Sequence, residues 1–399
     1  MTSMRVSLRP SPNPTPPVAP GDSPPPMLEP EPRVVLGAQS ADLELAAPIT
    51  PTRSALFGPR GAALASAEGP LAVCDTGHHR LLLWQHAPDR DDQPADVVIG
   101  QPDFRSEGRN AKGKPGPATL NVPTGVAFGG EALVVADAWN HRVLIWRSVP
   151  VESHQPADVV LGQADFHGVE PNRGGQVSAS TLNWCYGVSI VDGRLIVADT
   201  GNRRVLGWNQ IPTVNGAAAD LVIGQHRFDV RDEGAGADAG PLGMRWPHSV
   251  AVSHGRPMVA DAGNNRVMVW ETWPDQPGVP CDFVLGQADL LSLEHNRGAY
   301  WPDERSLNMP YGLTVCAGWV VTADTANSRI LGWREESLAP GGPAAGLAGQ
   351  LRFRDKGDNR WARPSRNSLC WPYWVSSCDQ TLIVSDSGNN RVMLWELAP

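Results

Sequence analysis

Residues 136–146 read ADAWNHRVLIW, and five other stretches of the chain spell nearly the same phrase. They are CDTGHHRLLLW (74–84), ADTGNRRVLGW (198–208), ADAGNNRVMVW (260–270), ADTANSRILGW (323–333) and SDSGNNRVMLW (385–395). Each runs Asp, two residues, Asn or His, one residue, Arg, an apolar run and Trp. The leading aspartates, Asp75, Asp137, Asp199, Asp261, Asp324 and Asp386, stand 62, 62, 62, 63 and 62 residues apart. A period this long and regular means one supersecondary unit repeated six times. A closed array of six units makes one body of most of the 399 residues.

Each unit holds four short runs rich in β-branched residues, separated by Gly, Pro, Asn or Asp. In the second unit they are 125–128 (GVAF), 133–137 (LVVAD), 142–146 (RVLIW) and 157–163 (ADVVLGQ). No comparable segment shows a helical period, so the fold is all-β. Four antiparallel strands per unit, six times over, predict a six-bladed β-propeller. The fourth run ends on Gln101, Gln163, Gln225, Gln287 and Gln350, and counting back 62 from Gln101 reaches Gln39 in RVVLGAQ. The last unit stops just after Trp395, one strand short, while RVVLGAQ is one strand in excess. The N-terminal run therefore completes the C-terminal blade, which hides two sheet edges that would otherwise invite aggregation. A loop follows each of Gln101, Gln163, Gln225, Gln287 and Gln350, and the next first strand opens 22 or 23 positions after that Gln. Such constant long loops share one face, here called the top, with the hairpin joining the second and third strands.

Residues 1–30 are proline-rich and poor in apolar side chains, so a disordered tail is expected before a propeller at 31–399. The net charge of −9 argues against nucleic acid as the partner. Six cysteines with no C-x-x-C pair fit reduced thiols in a cytoplasmic protein. The N-terminus lacks the apolar core of a signal peptide, and no run of 18 apolar residues spans a membrane.

Asp-x-x-Asn-x-Arg-Val-Leu-x-Trp after a Leu-x-Val-Ala strand closely resembles the NHL repeat. The preceding Pro-x-Gly-Val (Pro123 to Val126) fits as well, and Gly-Gln-x-Asp-Phe (Gly100 to Phe104, Gly162 to Phe166) is similar to a common bacterial version. The resemblance covers about residues 33–399. It implies a six-bladed propeller and no single activity, since the family includes RNA-binding and protein-binding modules, an amidating lyase and relatives of lactonases. Four positions depart from the pattern: His78 for Asn, Cys185 for Pro, and Ser249 and Trp374 for Gly.

Six equivalent copies point to architecture, so the motif residues are expected to be structural. The Asp should accept N–H groups of the turn that follows it. The Asn should sit in left-handed backbone. The Arg should reach an Asp with a bidentate fork, and the Trp should fill the space between blades.

Function belongs where the copies differ. Before the proline that opens each first strand stand Gly58, Val122, Trp184, Trp246, Met309 and Trp371; after it stand Arg60, Thr124, Tyr186, His248, Tyr311 and Tyr373. Three of the four tyrosines share one position. The hairpin tips also vary, with His78, His79, Trp139, His141, Arg203, Asn265, Ser328 and Asn390. The ligand-binding candidates are Arg60, Trp139, Trp184, Tyr186, Trp246, His248, Tyr311, Trp371 and Tyr373, read either as a binding rim or as a plug of the channel. No H-x-H or H-x-x-x-H spacing marks a metal site and no catalytic set is visible. No cofactor is expected, with a divalent ion in the central channel left open. Basic residues in 351–365 and 104–117 offer a further surface to an anionic partner. The expected role is a monomeric, non-catalytic binding or scaffold propeller that takes a protein segment or small ligand on its top face. The alternatives are a metal-assisted lyase or hydrolase using His248, Tyr186 and Arg60, and single-stranded RNA binding.

Overall fold

The structure is a computed structural model that describes residues 24, 26–37, 50–236 and 240–399. Among the described residues there are six sheets of four strands, and twelve short 3-10 turns as the only helical pieces. In the second blade the strands are β6 (Pro123–Gly129), β7 (Ala132–Asp137), β8 (Arg142–Trp146) and β9 (Val159–Leu161). They pair antiparallel in chain order, from the inside out. The first strand of each blade touches the first strands of both neighbours, closing a ring around a central channel. The chain is a six-bladed β-propeller.

Closure follows the expected route. β1 (Val34–Leu36) pairs antiparallel with β24 (Arg391–Glu396), and Val34, Val35 and Leu36 lie opposite Leu394, Met393 and Val392. Gln39, which would extend that register, lies outside the described residues. Most of the expected tail lies outside the described residues, but residues 26–30 of it pack on the propeller. Glu29 N–H donates to Glu396 O at 2.9 Å, and Trp395 Nε1 donates to Glu29 O at 2.7 Å. Met27 is buried against Gly332 and Gly346 of the fifth blade, where a Cβ would strike its side chain. Two apolar residues among the prolines, Met27 and Leu28, carry enough buried surface to hold this segment.

The six motif tryptophans are all buried. Each joins the core between its own blade and the preceding one: Trp146 packs with Leu81 and Leu83, and Trp84 with Ile383 and Val392 across the closure. Every indole N–H finds a backbone carbonyl, as in Trp146 to Gln155 at 3.1 Å. In the last blade that carbonyl belongs to Glu29, from the other end of the chain.

The aspartates work differently from the sequence expectation. Their Oδ1 accepts a backbone N–H from the loop that precedes the first strand, at 2.6–2.8 Å, and not from the turn that follows. Oδ2 accepts Arg Nε at 2.7–3.2 Å. In five blades Oδ2 also accepts the motif Asn Nδ2 at 2.7–2.8 Å. In the first blade His78 Nδ1 takes that place on Asp75 at 2.7 Å. The Arg contact is single and not a bidentate fork, because the rest of the guanidinium is engaged elsewhere. Arg142 Nη2 donates to Gly116 O and Thr119 O of the loop before its blade, and Nη1 to Phe166 O of the loop after it. One buried cation thus staples two consecutive crossover loops to one hairpin. The Asn lies inside the 3-10 turn, and the left-handed residue is the next one.

Two outcomes test this account. Removing one partner of a fully buried pair strands the other charge, so Asp137→Ala is expected to lower unfolding free energy by about 3–5 kcal/mol in urea titrations. Deleting residues 1–37 exposes the edge of β24 and removes five buried side chains (Met27, Leu28, Val34, Val35 and Leu36). At about 1.5–3 kcal/mol each as an upper bound, the loss is on the order of the whole stability of a domain. The truncated chain is expected to melt far earlier and to run as oligomers on size exclusion.

Candidate functional site

The residue before each first strand is held in left-handed backbone in five blades, with φ from 48° to 56° at Gly58, Val122, Trp184, Met309 and Trp371. Each of these five N–H groups is capped by the hairpin tip of the preceding blade, at 2.8–3.2 Å. The acceptors are Asn390 Oδ1, His79 Nδ1, His141 Nδ1, Asn265 Oδ1 and Ser328 Oγ. The tip residues look unrelated in sequence but share one chemical property, an acceptor about two bonds from Cβ. Arg203 lacks an acceptor, and it is the tip before Trp246. There the relay breaks: Trp246 N–H turns to Asp261 Oδ1 at 3.2 Å, and Trp246 is not left-handed.

The tip histidines are therefore neutral acceptors. Burial pushes the His141 imidazole down to about 4. Burial, then the charge of Arg109, lowers His79 as well. His78 lies buried on Asp75, separate from these two. Among the described residues, no group of three His, Cys, Asp or Glu is placed to hold a metal ion.

Above the first strands the top face opens into a cavity of about 670 Å³. Eight of the nine sequence candidates line it. Trp184, Trp246 and Trp371 form its wall and are 49%, 43% and 48% exposed. Tyr186, His248, Tyr311, Tyr373 and Arg60 form its floor. Ring centroids are 5.0 Å apart for Tyr186 and His248, 4.3 Å for His248 and Tyr311, and 4.5 Å for Tyr311 and Tyr373. Arg60 lies over the Tyr373 ring at 4.6 Å and the Tyr186 ring at 5.9 Å. The remaining one of the six positions, in the second blade, is Thr124, small enough to turn away and donate to Tyr186 O at 2.8 Å.

Beneath the floor Trp374 takes the place of a glycine and crosses the axis toward Gly187, with Cη2 3.4 Å from where a Cβ would stand. A second, smaller cavity of about 280 Å³ lies on its far side. The tryptophans stand at the rim of the cavity and the inner side chains fill the axis below it.

Trp139 is the exception. It stands at the tip position that Gly77, Gly201 and Gly388 occupy in the blades lining the cavity. Its indole lies 4.9 Å from the Arg109 guanidinium, out over the crossover loop and away from the cavity. The sequence reading missed Phe57, which is 46% exposed on the wall. Its N–H occupies the position of Asn121, Asn183 and Asn308 on the motif carboxylates, and an apolar ring among asparagines was the available signal.

The floor is electrically simple. His248 Nδ1 donates to Trp246 O at 2.9 Å, and burial outweighs that bond and pushes the imidazole down to about 4. Burial raises the Tyr311 and Tyr373 phenols. All three are neutral near pH 7, so Arg60 is the charge of the floor. Arg203 is the other charged lining residue, and no carboxylate is among them. Some of the basic residues of the loops are engaged within the fold. Arg352 pairs with Asp355 at 2.7 Å, Arg360 donates to Gly349 O and Asn367 O, and Arg109 covers Trp139.

No family model matches the chain. NHL repeat-containing protein 2 from Homo sapiens is 26% identical over 239 residues, covering 54% of this chain and 29% of that protein. The chain is similar to that protein over just over half of its own length and is a six-bladed propeller of NHL-like repeats. It spans under a third of the length of that curated relative. A structural-genomics protein of unknown function from Bacteroides thetaiotaomicron shares the fold with a TM-score of 0.50 at 12% identity, over 91% of this chain and 76% of that one. The WD40 β-propeller domain of Doa1 aligns at a TM-score of 0.48 and 11% identity, over 92% and 96% of the two chains. Among the described residues, no helix is long and apolar enough to cross a membrane.

The neutral histidine relay has a pH signature. An imidazole held near 4 in the fold titrates near 6.5 when unfolded. The unfolded chain takes up the proton first as pH falls. The stability contributed by neutral His141 is complete above pH ~6.5, declines as pH drops and is gone near pH ~4. His141→Asn keeps an acceptor for Trp184 N–H and cannot titrate. Its urea midpoint is expected to fall less than the parent's between pH ~7 and ~5. His248 leaves a residual slope in both.

Proposed function

We propose that this propeller is a non-catalytic recognition module that holds a segment of a protein partner in the top-face cavity. The observation that carries the reading is the wall of three half-exposed tryptophans with Phe57 above a neutral aromatic floor. The left-handed backbone does not require tryptophan, since Val122 and Met309 share it. What the indoles add is apolar surface left in water at a concave mouth, which marks interaction sites. Indoles also anchor interfaces out of proportion to their number.

A small-molecule occupant is a second reading, favoured by the volume of about 670 Å³, within the ~300–1,000 Å³ range of such sites. The open rim, whose anchors stand on three different blades, favours a chain segment over a compact molecule.

Covering the exposed half of one indole removes roughly 100 Å² of apolar surface, worth about 2.5 kcal/mol. Peptides selected from a displayed random library on the intact protein are expected to lose at least about tenfold in affinity with each of Trp184→Ala, Trp246→Ala and Trp371→Ala. Selected peptides that bind the triple variant as well as the parent would place recognition elsewhere. An isolated small molecule that competes with none of the peptides would point to two sites.

A further inference from the structure

Resting on that recognition reading, we infer that the cavity reads a carboxylate, carried at the end of the inserted segment and received by Arg60. Three observations converge on it.

The first is charge. Arg60 lines the cavity floor, and among the described residues no Asp or Glu oxygen forms an ion pair with it. Its sixfold-repeated neighbours in the chain behave otherwise: each motif arginine is buried on an aspartate. A guanidinium in a mostly aromatic well, with its counter-charge left out, is electrostatically incomplete until an anion enters. The rings of Tyr373 and Tyr186 support the cation but carry no charge to neutralise it.

The second is valence. Arg203, the other cation of the lining, is already engaged. It donates to Arg231 O at 3.1 Å and lies 3.6 Å from a Glu233 oxygen. Arg60 is hydrogen-bonded to the Tyr186 side chain but has no carboxylate partner among the described residues, and one such planar cation matches one planar monoanion, since a guanidinium fork and a carboxylate pair with two parallel bonds. A phosphate group, more highly charged, ordinarily gathers several donors.

The third is shape. The well is blind. The stacked floor rings and Trp374 beneath them close the axis, so a chain cannot thread through. What reaches Arg60 must arrive end-on, which suits a chain terminus. The tryptophan wall then grips the side chain next to it.

The probes are N-acetyl-phenylalanine, with a free carboxylate, and N-acetyl-phenylalaninamide, its neutral counterpart of the same size. Binding is followed by tryptophan fluorescence and calorimetry on the full chain. The acid is expected to bind at least about tenfold more tightly than the amide, as a charge-assisted bidentate pair does over a neutral one. Arg60→Met is expected to abolish that preference. Arg60→Lys keeps the charge without the fork and should retain part of it. Near-ultraviolet circular dichroism of each variant reports whether the floor rings are still packed. Equal affinity of acid and amide for the parent overturns the inference, as does a preference that survives in Arg60→Met, no binding of either probe, or inorganic phosphate competing better than the acid. Equal affinities that still fall with Trp184→Ala would leave the recognition reading standing and remove only the carboxylate. Failure of the displayed peptides to depend on the tryptophans would instead remove the recognition reading.

Discussion

Six buried aspartate–arginine pairs hold this propeller in shape. A β-propeller blade is a flat wedge, and its difficulty lies in the long irregular loops that carry the chain from the outside of one wedge to the inside of the next. Loop backbone has polar groups that must be satisfied wherever it is buried. The motif carboxylate takes an N–H from the incoming loop, and the motif guanidinium takes carbonyls from both the incoming and the outgoing loop. The ion pair between them neutralises the charges that these bonds require. Desolvating such a pair is costly, and the cost is offset because each ion is saturated with hydrogen bonds. The conserved-looking phrase in the six repeats is therefore the specification of loops, more than of strands.

A second layer of hydrogen bonds links the blades to one another and reaches the cavity. The tip of one hairpin caps the N–H of the rim residue in the next blade, and the blade's outer Gln ties the same tip down, as Gln163 Nε2 does on His141 O at 3.2 Å. Rim orientation is thus set by a neighbour's side chain. Trp184 and Trp371 stand where His141 and Ser328 put them, whereas Trp246, behind the acceptorless Arg203, follows Asp261. The three indoles that make the wall are consequently not related by the sixfold symmetry of the ring. The wall is asymmetric twice over, because tryptophan fills three of the six rim positions and because Trp246, behind Arg203, takes a different backbone from the other two.

The period of 62 and the strand punctuation made the fold legible, including the exchange of the first strand to the last blade. The inner register was legible too, because three of four tyrosines in one column are visible without coordinates. What could not be read were directions. Nothing in Asp137 says that its carboxylate points back sixteen residues to Asn121, since hydrogen-bonding range along a chain carries no sign. Trp139 occupies a cavity-lining column, yet its ring turns outward because Arg109 from a crossover loop offers it a cationic face. Phe57 was hidden for the opposite reason: its backbone does a shared job while its side chain does a local one. The order of residues 26–30 was concealed by composition, where Met27 and Leu28 were outnumbered by prolines.

Near the axis, symmetry turns against uniformity. Residues at one register of six inner strands meet in the same small volume, so six large side chains cannot all point inward. Tyr186, His248, Tyr311 and Tyr373 fill most of it as a stack, Thr124 withdraws, and Arg60 takes the remaining sector with its charge toward the cavity. A residue there is chosen against five others at once, which is why the first blade is where a cation fits: its neighbours around the ring are the small Thr124 and the aromatic Tyr373. His248 carries no charge to compete with it, being buried and donating its Nδ1 proton to Trp246 O. The geometry leaves one positive group at the bottom of an apolar well whose lower exit is shut. An arrangement that served only to plug the channel would be satisfied by another aromatic ring, and the guanidinium in that place is what the proposed carboxylate recognition rests on.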